Sequence, residues 1–306
     1  MLYDVVILGG GPAGLSAALN LGRARRRVLL CDSGPRRNAA AEHVHGFVTR
    51  DGITPNEFRA VGREQLGPYA SVEVRDVRVD SISGESGAFT VQLGSESVQA
   101  RRILLCTGLI DELPEVDGVR ELWGHAIVQC PYCHGWESRD QRFAYWATSP
   151  EMLDFALLLR GWTNQVTLLT GGKFPVSDEL SRRLASAGVG LEERPIRRLR
   201  PKEDQPRQLE RVEFDSGEPL PLDLVFAHPK QRQVDVVRTL DLALDSNGHV
   251  LVDEQRRETS RPGIYAGGDT ITRAQSAVLA AASAMLAAAA LNHGLTVELA
   301  LSGALP

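Results

Sequence analysis

The sequence predicts an α/β protein of two domains, the second inserted in the first, and three observations predict it. An apolar strand at residues 3–8 runs directly into the glycine turn Gly9-Gly10-Gly11-Pro12-Ala13-Gly14 and a helical stretch, the opening of a βαβ unit. A second alternation of strand-like and helix-like segments occupies roughly Trp123 to Asp241. Beyond it the pattern resumes and ends in an Ala-rich helical stretch, read as the completion of the first domain. The fold class is therefore α/β with two Rossmann-like (three-layer ββα) domains, and 306 residues at 43% hydrophobic suffice for two cores of about 100 to 200 residues each.

Taken in order, Leu15 to Arg23 reads as a helix and Arg27 to Cys31 as the next strand. An Arg- and His-containing loop covers 36–52. Segments 72–79, 88–93 and 97–105 then alternate between Gly and Ser turns as a small antiparallel insertion that rejoins the sheet at Ile103-Leu104-Leu105. The first domain is assigned residues 1–114 and 246–306, and the middle domain 115–245. Within the latter, strand 143–147, helix 150–160, strand 165–169 and helix 177–187 precede short strands through Phe226. The chain returns with Val250-Leu251-Val252-Asp253 and Gly263 to Asp269 before the final helix, Ala277 to Leu291. That helix falls short of about 20 strongly apolar residues, so a buried helix of a soluble protein is expected rather than a membrane span.

Composition excludes several functions. With 34 Lys+Arg against 39 Asp+Glu the net charge is −5, which offers no global attraction to nucleic acid or to an anionic membrane. Only Lys173, Lys202 and Lys230 are lysines. The N-terminus enters a strand without a basic region or a small-residue cleavage site, so a cytoplasmic location is expected. Four cysteines, at 31, 106, 130 and 133, are too few and too uneven for a disulfide framework.

The glycine turn can hold a pyrophosphate, because missing β-carbons let the backbone approach and the helix N-terminus favours negative charge. Gly9, Gly11, Pro12, Ala13 and Gly14 are the residues assigned to it, and Asp32, at the end of the next strand, is placed to accept from a ribose. The distant Gly267-Gly268-Asp269, followed by an apolar helix, favours FAD over NAD. Gly268 and Asp269 would face the ribityl chain, and the helix N-terminus at Gln275 and Ser276 the flavin pyrimidine. Thr107 and Gly108, after strand 97–105, complete the cofactor candidates on this side.

Cys130-Pro131-Tyr132-Cys133-His134 carries the chemistry. Two intervening residues let the sulfurs meet, Pro131 suits a first helical position whose N-terminus lowers a thiolate pKa, and His134 can take or return a proton. Rival readings are weaker. The run formally matches a c-type haem site but lacks export or a second haem motif, a structural zinc needs about four ligands, and a glutaredoxin-like pair belongs near the start of its own domain. No metal is expected. Cys31 and Cys106 read as buried small hydrophobes. His43 and His45, in the loop after Arg37-Asn38, could line the flavin or the thiol site, or be exposed loop residues. The middle domain lacks a glycine fingerprint: Ala147-Thr148-Ser149-Pro150-Glu151-Met152 stands after strand 143–147, and Thr170-Gly171-Gly172-Lys173 lacks an Arg cluster for a 2'-phosphate. NADPH binding is therefore not expected there.

At these residues the sequence resembles the low-molecular-weight thioredoxin reductase family over nearly its whole length. More narrowly, Cys130 to Gly135 with Arg37-Asn38 and His43-x-His45-Gly46 is similar to the branch containing gliotoxin- and holomycin-type dithiol oxidases and diflavin-linked disulfide oxidoreductases. The resemblance implies an FAD-dependent disulfide oxidoreductase that is a homodimer, with Arg37, Asn38 and His45 among its cofactor residues. It also implies Cys133 nearest the flavin, Cys130 exchanging with a thioredoxin-like protein or a small dithiol or disulfide, and His134 as acid–base. A second FAD in the middle domain, an O2-dependent dithiol oxidase, an NADPH-dependent reductase and a non-catalytic flavin redox sensor stay open as alternatives.

Overall fold

The computed structural model describes residues 2–304, which cluster into two compact units. The first comprises residues 1–39, 53–110 and 231–306, and the second 40–52 and 111–230. The sequence boundaries shift accordingly. Residues 231–245 join the first unit because Val237, Leu240 and Leu242 sit in its core, and the loop 40–52 groups with the second.

The first unit opens with β1 (Leu2–Leu8), α1 (Pro12–Arg23), β2 (Val28–Cys31), α2 (Pro55–Glu64), β3 (Val72–Arg75), β4 (Ser81–Glu85), β5 (Ala88–Leu93) and β6 (Glu96–Leu105). The strands run in the order β3-β2-β1-β6-β5-β4. β1 to β3 and β6 are parallel, and β4 and β5 form the antiparallel hairpin against the first half of β6. β2 is buried throughout, as an apolar run in a covered parallel sheet must be. Helix α2 was not foreseen. Thr54 caps it by accepting from the Glu57 amide at 3.1 Å, Pro55 starts it, and Gly62 lets it approach the Leu15 side chain of α1.

The second unit follows with β7 (Ile110–Glu112), α3 (Val119–Leu122), β8 (Ile127–Val128), α4 (Pro131–His134), β9 (Arg142–Trp146), α5 (Phe155–Leu158), β10 (Gln165–Leu169), α6 (Asp178–Ser186) and β11 (Val189–Glu192). β12 (Ile196–Pro201), β13 (Leu209–Phe214), β14 (Leu220–Pro221) and β15 (Leu224–Ala227) complete it, and β16 (Lys230–Arg232) falls at the boundary. Its parallel sheet has the order β11-β10-β9-β15-β8, and β12-β13-β14 is a separate antiparallel sheet. The helix expected over 150–160 is corrected: 150–154 form turns with Met152 at φ 58°, and only α5 and a short 3₁₀ segment, Leu159–Gly161, are helical.

The chain returns to the first unit through α7 (Asp235–Arg238), β17 (Ile264–Ala266) and α8 (Ala277–Leu301). β17 pairs in parallel with the second half of β6, closing the sheet. On the way, Val250 and Val252 make isolated β-bridges to Leu244 and Thr259. α8 continues ten residues past its expected end because Leu295 and Leu299 extend the buried face of Ala280, Ala284, Ala287, Ala288 and Leu291. Burial is one-sided: Leu279, Met285, Leu286 and Val297 are exposed. By length and composition the helix is apolar enough to cross a membrane, yet its buried face packs with α1 in one hydrophobic cluster.

Candidate active site

Around the glycine turn, the first unit shows why the sequence needs so many glycines. Gly9 has φ +107°, and a β-carbon there would stand 2.2 Å from the Cys106 carbonyl oxygen, hence directly against the strand end that leads to Thr107 and Gly108. A β-carbon on Gly10 would fall 2.1 Å from the Asp32 carboxylate, and one on Gly14 only 1.8 Å from the Gly9 oxygen. Gly11 instead faces open space, with no atom within 4 Å of such a carbon. Directly after it α1 begins at Pro12 with no side-chain cap, leaving first-turn amides such as those of Ala13 and Gly14 to an outside acceptor. These features fit a dinucleotide pyrophosphate.

Asp32 lies at the end of β2, 4% exposed. Its Oδ1 accepts the Gly34 amide at 2.9 Å, while its Oδ2 accepts Arg59 Nε at 2.8 Å and Nη2 at 2.5 Å and Arg63 Nη2 at 3.2 Å. Burial pushes the carboxyl up, but the Gly34 amide and the Arg59 and Arg63 guanidiniums together hold it below the ordinary carboxylate range. One lone-pair direction of Oδ1 is left for a ribose hydroxyl. Arg59 and Arg63 escaped the sequence reading because the helix that carries them was not foreseen; both also reach Asp76.

Residues more than 200 positions apart meet on the same unit. Arg37 Nη1 lies 3.4 Å from Asp269 Oδ2 and donates to Gln275 Oε1, and Gln275 Nε2 donates to Gln231 Oε1 at 2.8 Å. Gly268, at φ +85°, packs so closely on Ala13 that a β-carbon would come within 2.9 Å of it, which brings the Gly-Gly-Asp turn onto the start of α1. Ser276 caps α8 by accepting from Leu279 at 3.2 Å. Asn38, partly buried, follows Arg37 in a short 3₁₀ turn.

On the second unit, the end of edge strand β8 delivers Cys130 and Cys133, which are disulfide-bonded with Cα atoms 5.3 Å apart. α4 is a single turn, so its dipole is a smaller influence on the sulfurs than a long helix would be. Gly135 is required here: a β-carbon would sit 2.6 Å from the Pro131 oxygen and 2.8 Å from the Trp162 ring. Tyr132 and Trp136 are 72% and 65% exposed beside the disulfide, Tyr132 meeting the Trp162 ring edge-on at 5.3 Å. They form an apolar rim that sequence reasoning did not single out.

His134 Nδ1 contacts the Cys130 carbonyl at 3.3 Å. A carbonyl only accepts, so this nitrogen carries the hydrogen and Nε2 is left as the base. Burial pushes the imidazole below its usual range, against the opposing influence of the Cys130 carbonyl and the Glu137 charge, so neutral His134 is the prevailing form near pH 7. Cys31 and Cys106 are both buried, and burial raises the Cys31 thiol to about 12 and the Cys106 thiol further. Neither is an ionised nucleophile. His45 belongs to the second unit, its Nδ1 3.5 Å from Asp51 and its Nε2 3.5 Å from Glu137, so its described partners are those of the thiol side and not the glycine turn.

After β9 the chain replaces a phosphate-binding turn with buried Ala147 and the turns of 150–154, and the following α5 is four residues long. Between these turns and the start of α6 lies an open cavity of about 450 Å³, lined by Pro150, Met152, Asp154, Ser177, Leu180 and Arg183.

Comparison with known proteins agrees with this geometry. The sequence profile of the pyridine nucleotide-disulphide oxidoreductases matches residues 3–294. The chain is 31% identical over 300 residues to thioredoxin reductase aclD of Aspergillus oryzae, covering 94% of each. Among solved structures it is 36% identical to an oxidoreductase from Agrobacterium tumefaciens, with a TM-score of 0.90 and coverage of 97% of this chain and 99% of that one. It is also 37% identical to HlmI, with a TM-score of 0.90 and coverage of 98% and 95%.

Proposed function

Because the chain belongs to the pyridine nucleotide-disulphide oxidoreductase family and is thioredoxin reductase-like within it, we propose that it is an FAD-dependent thiol–disulfide oxidoreductase not driven by NADPH. The observation that carries this reading is the Cys130–Cys133 disulfide, backed by a half-buried neutral His134, in a unit whose helix after β9, where a dinucleotide pyrophosphate would dock, is only four residues long.

FAD, when bound, supplies a two-electron acceptor and donor. Gly9 to Gly14 would hold its pyrophosphate, Asp32 its ribose, and Asp269, with Arg37 and Gln275, the flavin end. In the oxidative direction a substrate thiolate attacks Cys130 Sγ, forming a mixed disulfide and releasing Cys133 as thiolate. The second substrate thiol then attacks the substrate sulfur of that mixed disulfide, releasing the closed substrate disulfide and the Cys130 thiolate. Nε2 of His134 takes the proton that the attacking thiol gives up. Tyr132 and Trp136 offer apolar contact beside the sulfurs, suited to a small dithiol or to the apolar loop of a thioredoxin-like protein. Both substrate classes fit.

Anaerobic titration tests the reading. A small dithiol such as dithiothreitol bleaches the flavin, NADPH does not, and air restores the colour with peroxide release if oxygen is the acceptor. Bleaching by NADPH at stoichiometric amounts contradicts donor independence, and no bleaching by any dithiol contradicts the whole reading. A second reading is a further FAD on the second unit, which would have to be held by side chains around the open 450 Å³ cavity between residues 150–154 and α6 and not by a phosphate-binding turn. One flavin per chain at saturating FAD overturns it.

A further inference from the structure

We propose that Gln231 and Gln233, on the segment by which the chain re-enters the first unit, are positioning residues for the flavin end of the cofactor site. Gln233 fixes the turn that carries Asp269, and Gln231 fixes the amide through which Gln275 holds Arg37. The role of both residues rests on the FAD reading above, which assigns them none.

Gln233 is 3% exposed and Thr270 is fully buried, so the polar atoms of both side chains need partners inside the protein. Gln233 Nε2 donates to the Gly248 oxygen at 2.8 Å and to the Thr270 oxygen at 3.0 Å, and Gln233 Oε1 accepts from Thr270 Oγ1 at 2.6 Å. The Thr270 oxygen also accepts the Val250 amide at 2.9 Å. Thr270 is therefore held at its hydroxyl and at its carbonyl, and Asp269 precedes it directly in the 3₁₀ turn Asp269–Ile271. A carboxamide suits this place, since two carbonyls need donors and a hydroxyl needs an acceptor. A carboxylate would offer the carbonyls no hydrogen, and an apolar side chain of the same length would satisfy none of the three.

At the other end of the same loop, Arg37 donates to Gln275 Oε1, and because a guanidinium only donates, it dictates which end of the Gln275 amide faces it. Gln231 pairs with that amide reciprocally: its Nε2 donates to Gln275 Oε1 at 3.2 Å and its Oε1 accepts from Gln275 Nε2 at 2.8 Å. The second hydrogen of Gln275 Nε2 goes to the Thr272 oxygen at 3.2 Å. Two hydrogens and two lone pairs exhaust a carboxamide, so Gln275 acts at the flavin end through Arg37, which lies 3.4 Å from Asp269. The two glutamines thus grip the loop 269–275 at Thr270 and at Gln275. Arg37 brings a positive charge to the end of the site where reduction of a flavin adds negative charge, and holding it there favours the reduced flavin.

The test is made on the FAD-loaded protein, with FAD affinity read by flavin fluorescence and the flavin midpoint potential by equilibration with a reference dye. Gln231→Met and Gln233→Met keep the length of the side chain and lose the carboxamide. Gln231→Met shifts the flavin reduction equilibrium toward the oxidised form by about threefold to tenfold, tenfold being about 30 mV for a two-electron couple. Gln231→Glu, which sets a negative charge against the Gln275 oxygen, shifts it at least as far in the same direction. Gln233→Met weakens FAD binding by about tenfold, because the Thr270 hydroxyl and the Gly248 carbonyl lose their partner behind Asp269. Far-UV circular dichroism verifies that each variant is folded, and Gln231→Met, at a half-buried position, carries the test alone if Gln233→Met does not fold. These shifts support the proposal. A wild-type potential in either Gln231 variant, or wild-type FAD affinity in folded Gln233→Met, overturns it while leaving the FAD reading intact, whatever happens to thermal stability. A wild-type protein that binds no FAD overturns both.

Discussion

Single side chains decide the chemistry on both units. On the second, Cys130→Ala removes the sulfur that meets substrate, so turnover and dithiol-driven bleaching fall to background while flavin content is unchanged; retained turnover would place the exchange elsewhere. His134→Gln keeps the ring's size and loses its base, and a slowing of bleaching on the order of 10²-fold is expected in stopped flow. On the first unit, Asp32 shows how burial and charge contest one carboxyl: desolvation raises its pKa and Gly34, Arg59 and Arg63 lower it further than burial raises it. A lowered folded-state pKa contributes stability that is full above the unfolded value of about 3.9 and is lost as pH falls through the folded value. Asp32→Asn should therefore flatten the acid end of the stability curve below about pH 4, measured by urea unfolding across pH. Arg59→Ala should weaken FAD binding by roughly tenfold, read by flavin fluorescence, since it leaves the ribose acceptor less firmly held.

At the scale of elements, the glycine turn and α8 carry the first unit. Gly14→Ala places a β-carbon 1.8 Å from the Gly9 oxygen, so it should disorder the turn and yield protein free of flavin. Ala284 packs against Gly267, where a β-carbon would stand 2.6 Å from the Ala284 Cα; Ala284→Leu should destabilise by about 1 to 3 kcal/mol in thermal or denaturant unfolding. These elements also mark what could be read from the sequence. The glycine turn was legible because Gly9, Gly10 and Gly14 each answer to a φ or to a missing β-carbon, and the dithiol because its spacing is itself the geometry. The Arg37, Asp269 and Gln275 cluster could be named residue by residue but not joined, since nothing local shows that positions over 200 apart meet. α2 was missed because only Phe58, Val61 and the Gly62 contact mark its inner face within a polar segment. α5 was read too long because Pro150 suits a helix start, and a left-handed Met152 is invisible to periodicity. The end of α8 was placed too early because Asn292-His293-Gly294 looks like a stop, while Leu295 and Leu299 continue the buried face.

For the whole molecule, the second unit has turns and a four-residue helix after β9 where the first unit has a glycine turn and a long helix, and it carries the dithiol; from this combination we propose a route of electrons other than NADPH. Val278, Leu279, Met285, Leu286 and Val297 leave an apolar stripe along α8, in keeping with the homodimer that we propose, and light scattering at micromolar concentration should return twice the 33.3 kDa chain mass. The most direct test of the central claim is the anaerobic absorbance spectrum of the purified protein, titrated first with NADPH and then with dithiothreitol. An oxidised flavin band that survives excess NADPH and bleaches with about one equivalent of dithiol per reducible centre is the predicted result. A band that bleaches with NADPH, or one that persists through both additions, would contradict it.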